Sequence, residues 1–193
     1  MIDVPHKTSA GCNWIPIESL LLSEGKLFIR GEITSDTADE FVQELMHVTG
    51  SHFEGDLHMY IDSPGGEVNT GLLIYDTLKS LKCNYDITCI GTASSMESII
   101  LEGGRKGCRH ILPHSSVMIH ELLIPGGVGG SATSIKKAAE SIMKTKNSLP
   151  SCSPGTPEKA SKKWKKAISF ANYMTAAEAV TFGIADNIVT DIL

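Results

Sequence analysis

Ser95, His120 and the pair Gly65-Gly66 are the residues of this chain whose types and order admit nucleophilic chemistry. Ser95 lies in the stretch Gly91-Thr92-Ala93-Ser94-Ser95-Met96-Glu97-Ser98, between a β-branched run, Asp86 to Ile90, and an apolar run, Ile99 to Leu101, that ends at Gly103-Gly104. A strand, a tight turn of small residues and a helix would set the hydroxyl at a helix N-terminus. Backbone N–H groups without helical partners and the positive end of the dipole favour developing negative charge there. A serine nucleophile needs a base, and His120 closes the run Ser116-Val117-Met118-Ile119-His120, 25 residues further on (120 minus 95). Gly65-Gly66 lacks the Cβ atoms that would keep a backbone N–H away from a substrate carbonyl. Nucleophile, base and oxyanion donor are the parts of an acyl transfer. Each also has an ordinary reading, since serine at a strand-to-helix turn is commonly an N-cap and a strand-end histidine commonly bonds backbone or water. Their convergence is what points to chemistry; His58, His110 and His114 lack such company and are read as structural.

These residues need elements to position them. Lys26-Leu27-Phe28-Ile29-Arg30-Gly31 reads as a buried strand, followed by a helix with Thr37 and Glu40 at capping-box spacing, an apolar face of Phe41, Val42, Leu45, Met46 and Val48, and Gly50 as its stop. The pattern repeats: strand Asp56 to Asp62, turn Ser63-Pro64-Gly65-Gly66, helix Gly71 to Leu81. It repeats again as strand Asp86 to Ile90, the Ser95 turn, and a helix ending near Gly103. Strands alternating with helices over short links imply parallel strands joined by right-handed crossovers, with ligands outside the carboxyl ends of the strands. The Gly65-Gly66 turn and the Ser95 turn both lie at such ends, so they are expected to face one another. Further on come a short stretch Cys108 to Leu112, the strand ending at His120, a glycine-rich span from Pro125 to Gly130, and a helix from Ala132 to about Asn147. Pro150 to Gly155 breaks that helix, a basic helix runs from Pro157 to about Ile168, and Thr175-Ala176-Ala177-Glu178 opens a capped helix closed by Gly183. Ile184 to Val189 reads as a terminal strand. Residues 1 to 25 show no sustained period and are expected to form an irregular or mobile arm that becomes ordered near Ile17 to Leu22.

Composition narrows the classes. With 193 residues, 41% hydrophobic and 20% charged, the chain suits one substantial core and a single domain. A net charge of -5 gives no reason to expect nucleic acid or an anionic membrane as partner, and the basic cluster from Lys159 to Lys166 reads as a solvated helix face. The five cysteines form no CxxC pair and no zinc spacing, so no metal is expected and reduced thiols are the simplest reading. No secretory signal and no run approaching a membrane span is present, which favours the cytoplasm.

At Tyr60-Ile61-Asp62-Ser63-Pro64-Gly65-Gly66, Ile74-Tyr75-Asp76-Thr77, Gly91-Thr92-Ala93-Ser94-Ser95-Met96, Leu112-Pro113 with Val117-Met118-Ile119-His120, and Ala177-Glu178-Ala179 with Gly183-Ile184-Ala185-Asp186, the chain resembles the proteolytic subunit of the Clp protease, ClpP, a self-compartmentalising serine peptidase. The motifs run in order over roughly residues 26 to 190. The resemblance implies an α/β fold of the ClpP/crotonase type, built from repeated β-β-α spiral units with a protruding handle helix. It implies an N-terminal axial arm over residues 1 to 25, one peptidase domain over 26 to 193, and a handle at about 122 to 147. It further implies Ser95 as nucleophile, His120 as general base, and the N–H groups of Gly66 and Met96 as oxyanion hole. Also implied are two stacked heptameric rings, unfolded polypeptides as substrates, and a ring-shaped AAA+ unfoldase as the partner that consumes ATP, so that the chain needs no cofactor of its own. An extended substrate would add as a strand near Gly66-Glu67-Val68 on one side and Leu122-Leu123-Ile124 on the other.

Three departures from the family pattern stand out. The triad aspartate's position, shortly before the last capping box, is Ala171, in the run Ala171-Asn172-Tyr173-Met174-Thr175-Ala176. Losing the acid that orients the imidazole costs other serine proteases about 10⁴ in turnover. Asn172, a water or a backbone carbonyl are the candidates to orient His120 in its place. Glu97 is the second departure, because the family has a small residue there; a carboxylate in a helix's first turn suits the dipole yet opposes a nearby oxyanion. The third is the Pro150 to Gly155 interruption with added residues around Pro125, which bears on handle length. The leading expectation is therefore a Clp-type serine endopeptidase of weakened activity. The alternatives are a catalytically silent subunit serving ring assembly and unfoldase docking in mixed rings, and an acyl-CoA enzyme of the crotonase fold.

Overall fold

A computed structural model describes residues 2–9, 11–50, 53–123, 126–149, 163–164 and 166–192. The chain divides into two compact units, one of residues 1–117 with 174–193 and one of residues 118–173.

The first unit begins with an antiparallel hairpin, β1 (Asp3–Thr8) and β2 (Gly11–Pro16), in register from Asp3↔Pro16 to Thr8↔Gly11. The expectation of an irregular arm is corrected here. No residue of either strand is buried, so neither shows the apolar alternation by which a strand is read from sequence. A short helix, α1 (Ile17–Ser23), follows at the place where order was expected.

The main sheet is built from β3 (Lys26–Ile33), β4 (Leu57–Gly66), β5 (Tyr85–Ser94), β6 (Arg109–Ile111) and β9 (Asn187–Ile188), hydrogen-bonded in that order and all parallel. Two further strands, β7 (Ser116–Ile119) and β8 (Asn172–Thr175), lie off this path, β7 pairing with β5 and with β8. The crossovers are α2 (Ser35–Gly50), α3 (Val68–Ser80) and α4 (Met96–Gly103). Parallel strands require such crossovers, and they are covered here as the alternation of strands and helices implied. In α2 the buried residues Ala38, Phe41, Leu45 and Val48 recur at the three- and four-residue spacing of one helix face, and the helix packs on β3 and α3; Leu27, Ile29, Leu57, Met59, Ile61 and Ile87 of the strands are likewise buried.

Several boundaries differ from expectation. The strand expected to stop at Asp62 continues through Pro64 to Gly66, because Glu32 and Ile33 of β3 pair with Gly65 and Gly66. The capping box expected of Thr37 and Glu40 does not form. The helix starts at Ser35, and the Thr37 hydroxyl instead accepts from the Thr34 N–H at 2.9 Å. The second box does form: the Thr175 hydroxyl accepts from Glu178 N, the Glu178 carboxylate accepts from Thr175 N at 2.9 Å, and α6 (Ala176–Phe182) ends on Gly183 at φ 97°. Of the expected terminal strand only Asn187–Ile188 pairs as a strand. Its approach is fixed by Asp186, whose carboxylate accepts from Arg109 Nε at 2.8 Å, Arg109 Nη2 at 2.6 Å and Gly107 N at 2.7 Å, and pairs with Lys106. The Arg109 guanidinium holds that carboxyl well below the usual carboxylate range.

In the second unit α5 (Ala132–Ser148) starts where the sequence expects it. Ser131 is its N-cap, accepting from Ser134 N at 3.2 Å. Leu149, Trp164 and Ile168 are buried, and Ile168 N donates to Trp164 O at 2.9 Å. The interruption at Pro150 to Gly155 and most of the basic helix lie outside the described residues. Among the described residues no helix is long and apolar enough to cross a membrane.

Candidate active site

Within the first unit, the carboxyl ends of β4 and β5 come together. Gly65 has φ 91°, and a Cβ built there would meet Ser94 O at 2.5 Å, Ser95 Cβ at 2.7 Å and Met96 N at 3.0 Å. The two turns do face one another, and only the absence of a side chain at 65 lets them approach so closely. Gly66 is equally constrained from the other side, because a Cβ there would lie 2.1 Å from Ile33 O. The Ser63 hydroxyl braces the turn by accepting from Gly65 N at 3.0 Å.

Ser95 occupies the N-cap position of α4, at φ 55° and ψ -121°. It is the one non-glycine residue with positive φ among the described residues. Backbone of this kind costs of order 1–3 kcal/mol and persists only where the surroundings over-determine it. The ordinary explanation of a serine at this position fails, because its side chain makes no capping hydrogen bond to the helix. Ser98 supplies the local bonding instead, its hydroxyl donating to Ser95 O at 2.6 Å and its N–H at 3.1 Å. As the first residue of α4, Met96 has an N–H with no acceptor inside the helix, and it sits beside Gly65. Asp62 steadies β5 just upstream by accepting from Thr92 N at 2.9 Å.

Glu97 behaves unlike the solvated first-turn acid the sequence suggests. It is 0% exposed, neither carboxyl oxygen has a hydrogen-bond partner among the described residues, and burial, with Asp62 adding to it, pushes the carboxyl up to about 8. Nothing in the sequence pattern announces this, because the dipole argument treats the side chain as wet.

His120 and Asn172 belong to the second unit. His120 is half-buried, and its Nδ1 bonds the backbone carbonyl of Glu121. A carbonyl only accepts, so in this contact Nδ1 carries the proton, and in the neutral ring that leaves the lone pair on Nε2. The Glu121 carboxylate is held in turn by Lys146 of α5, at 2.5 Å. Asn172 is half-buried at the start of β8, and no hydrogen bond of its side chain is found among the described residues. Ala171 and Tyr173 beside it are exposed. No cluster of three or more His, Cys, Asp or Glu side chains suited to a metal ion occurs among the described residues.

A match to the Clp protease family model extends over residues 9–191, nearly the whole chain. The chain belongs to the Clp protease family. The membership accounts for the parallel α/β sheet, and it makes a serine peptidase of the Clp type the general class of the protein. The matched range includes both Ala171 and the strained Ser95.

Proposed function

We propose that the chain is a Clp-type serine endopeptidase that cleaves unfolded polypeptides inside a ring-shaped chamber, with activity lowered by the alanine at 171. The single observation that carries this reading is Ser95 at φ 55°, its hydroxyl unused as a helix cap, pressed against Gly65. Strain of that kind at a hydroxyl beside a bare glycine turn serves no purpose in a merely structural N-cap.

In this reading His120 Nε2 takes the proton from Ser95 Oγ as the oxygen attacks the scissile carbonyl. The oxyanion is stabilised by the N–H groups of Gly66 and Met96 at the start of α4. The proton passes to the leaving amine, and water then hydrolyses the acyl-enzyme. The bond from Nδ1 to the Glu121 carbonyl supports a backbone group as the element that sets the imidazole tautomer; Asn172 is the side-chain candidate for the same task. A carbonyl fixes the tautomer but brings no full charge to stabilise imidazolium, which fits a slow enzyme. The assembly proposed is two stacked heptamers or mixed rings with other Clp subunits, in the cytoplasm. A partner AAA+ unfoldase consumes the ATP, and no resident cofactor takes part. A second reading, a catalytically silent subunit that serves assembly and unfoldase docking, is favoured by Ala171.

Intact mass after incubation with a fluorophosphonate tests the proposal. One adduct per chain, lost in Ser95→Ala and His120→Ala, is the expected result. Retention in Asn172→Ala would assign the orienting role to the backbone carbonyl, and loss would assign it to Asn172. No adduct on assembled rings would overturn the peptidase and leave the silent subunit.

A further inference from the structure

Glu97 is a buried group that the proposed mechanism leaves unused, and among the described residues its oxygens are the buried side-chain N and O atoms without a hydrogen-bond partner. It is the second residue of α4, two positions beyond Ser95, and its side chain is fully enclosed. Other buried polar groups of this unit are satisfied: Ser63 accepts from Gly65 N, Ser98 donates to Ser95 O, Ser115 donates to Cys89 O, and Arg109 binds Asp186. Both oxygens of Glu97 are without a hydrogen-bond partner among the described residues.

The elements packed on α4 are α3, β4 and β5. From β4 the charged group acting on Glu97 is Asp62, an anion. From β5 the nearby titratable group is Cys89, a buried thiol pushed up to about 12, mainly by burial, with Glu97 adding to that rise. The titratable residues of α3, Tyr75, Asp76 and Lys79, lie toward the far end of α4, where Tyr75 sits against Gly103, Lys79 acts on Glu102, and Glu102 and Asp76 act on Tyr75. No cation from these three elements acts on Glu97. A carboxylate there would be an isolated buried charge with another anion nearby, a state that proteins avoid by keeping the proton.

The first turn of α4 cannot rearrange without disturbing the oxyanion donors. Met96 packs its side chain on Gly71, where a Cβ would lie 2.8 Å from Met96 Cε, and its N–H sits beside Gly65. We propose that Glu97 is a proton-controlled positioning residue for the Ser95 turn: the neutral carboxyl lets α4 seat Met96 against Gly65 and Gly71, and ionisation draws the side chain toward water and unseats them. The burial-raised titration near 8 places the change within mildly alkaline conditions. The proposal rests on the peptidase reading only for what is being positioned; the movement of Met96 is independent of catalysis.

The test uses the full chain in its assembled form, with ¹³C-methyl methionine labelling and fluorophosphonate labelling followed in parallel from roughly one unit below to one and a half units above pH 8. The Met96 methyl resonance is expected to titrate with a midpoint near 8 and to stay flat in Glu97→Gln. The labelling rate of Ser95 is expected to fall about tenfold per pH unit beyond that midpoint, and the fall should vanish in Glu97→Gln. Should that variant fail to assemble, Glu97→Leu, equally uncharged, is read in its place. A Met96 resonance that does not titrate, or that titrates identically in the uncharged variant, overturns the proposal. A Met96 resonance that titrates while Ser95 never labels at any pH sustains it and instead overturns the peptidase.

Discussion

Around Ser95 the constraints are backbone atoms and enclosed side chains: Gly65 against Ser94 O and Met96 N, Gly66 against Ile33 O, and an α4 of which every residue but Glu102 is buried. Around His120 they are local and partly wet: a carbonyl one residue away, and a Lys146–Glu121 pair whose carboxylate is half exposed. The helix that supplies Lys146 has exposed apolar side chains at Ile135 and Met143. The contrast teaches where each part of the proposed mechanism gets its precision. The turn that carries strain is over-determined by tertiary packing, whereas the base's tautomer depends on a contact within its own stretch of chain.

The most severe way to break the contrast is Gly66→Ala. A Cβ 2.1 Å from Ile33 O has only backbone to push against, so a loss of about 3 kcal/mol or more is expected in urea unfolding, with much of the chain insoluble. The next effect depends on pH. The folded chain holds the Glu97 proton up to about 8, against an ordinary 4.5 for the unfolded carboxyl. The group's contribution is therefore full below about 4.5, falls by about 1.4 kcal/mol per pH unit above it, and is lost once pH passes about 8. Thermal midpoints of Glu97→Gln across that window should decline less steeply than those of the native chain. Smaller again is the strain at Ser95. Ser95→Gly should be about 1 kcal/mol more stable than Ser95→Ala by denaturant midpoint, because glycine adopts φ 55° without a Cβ penalty, although both abolish labelling. The smallest effect belongs to the His120 side: Lys146→Ala should cost less than about 1 kcal/mol, as partly exposed pairs do, and less still at high salt.

Much of the Ser95 half of the candidate site was legible because its signals are steric. Gly65-Gly66 and Ser95 announce themselves by residue type at the ends of strands whose β-branched runs are plain, and the register Ile33↔Gly66 and Ser63↔Ala93 then brings the turns together. What was not legible depends on solvent. The hairpin of β1 and β2 buries nothing, so its alternation carries no hydrophobic signal, and Thr37 lost its capping role to a helix that begins two residues earlier. Glu97 looked like an acid placed to suit a dipole, and only the enclosure of α4 turns it into a neutral, buried group. The Glu121 carbonyl has no sequence signature at all, because every residue carries one.

The Arg109–Asp186 clamp also bears on the order in which the chain can be completed. Arg109 is made early, is 5% exposed once folded, and waits for an anion 77 residues downstream. During synthesis its cation has Glu102 nearby, whose carbonyl it also bonds at 3.2 Å, but the Asp186 carboxylate that binds it most closely comes only after the whole of residues 118–173 has emerged. The last strand to be translated, β9, is thus also the one whose arrival completes the Arg109 pairing, and a ribosome that stalls before Asp186 releases a chain that lacks both this carboxylate and the strand beside β6.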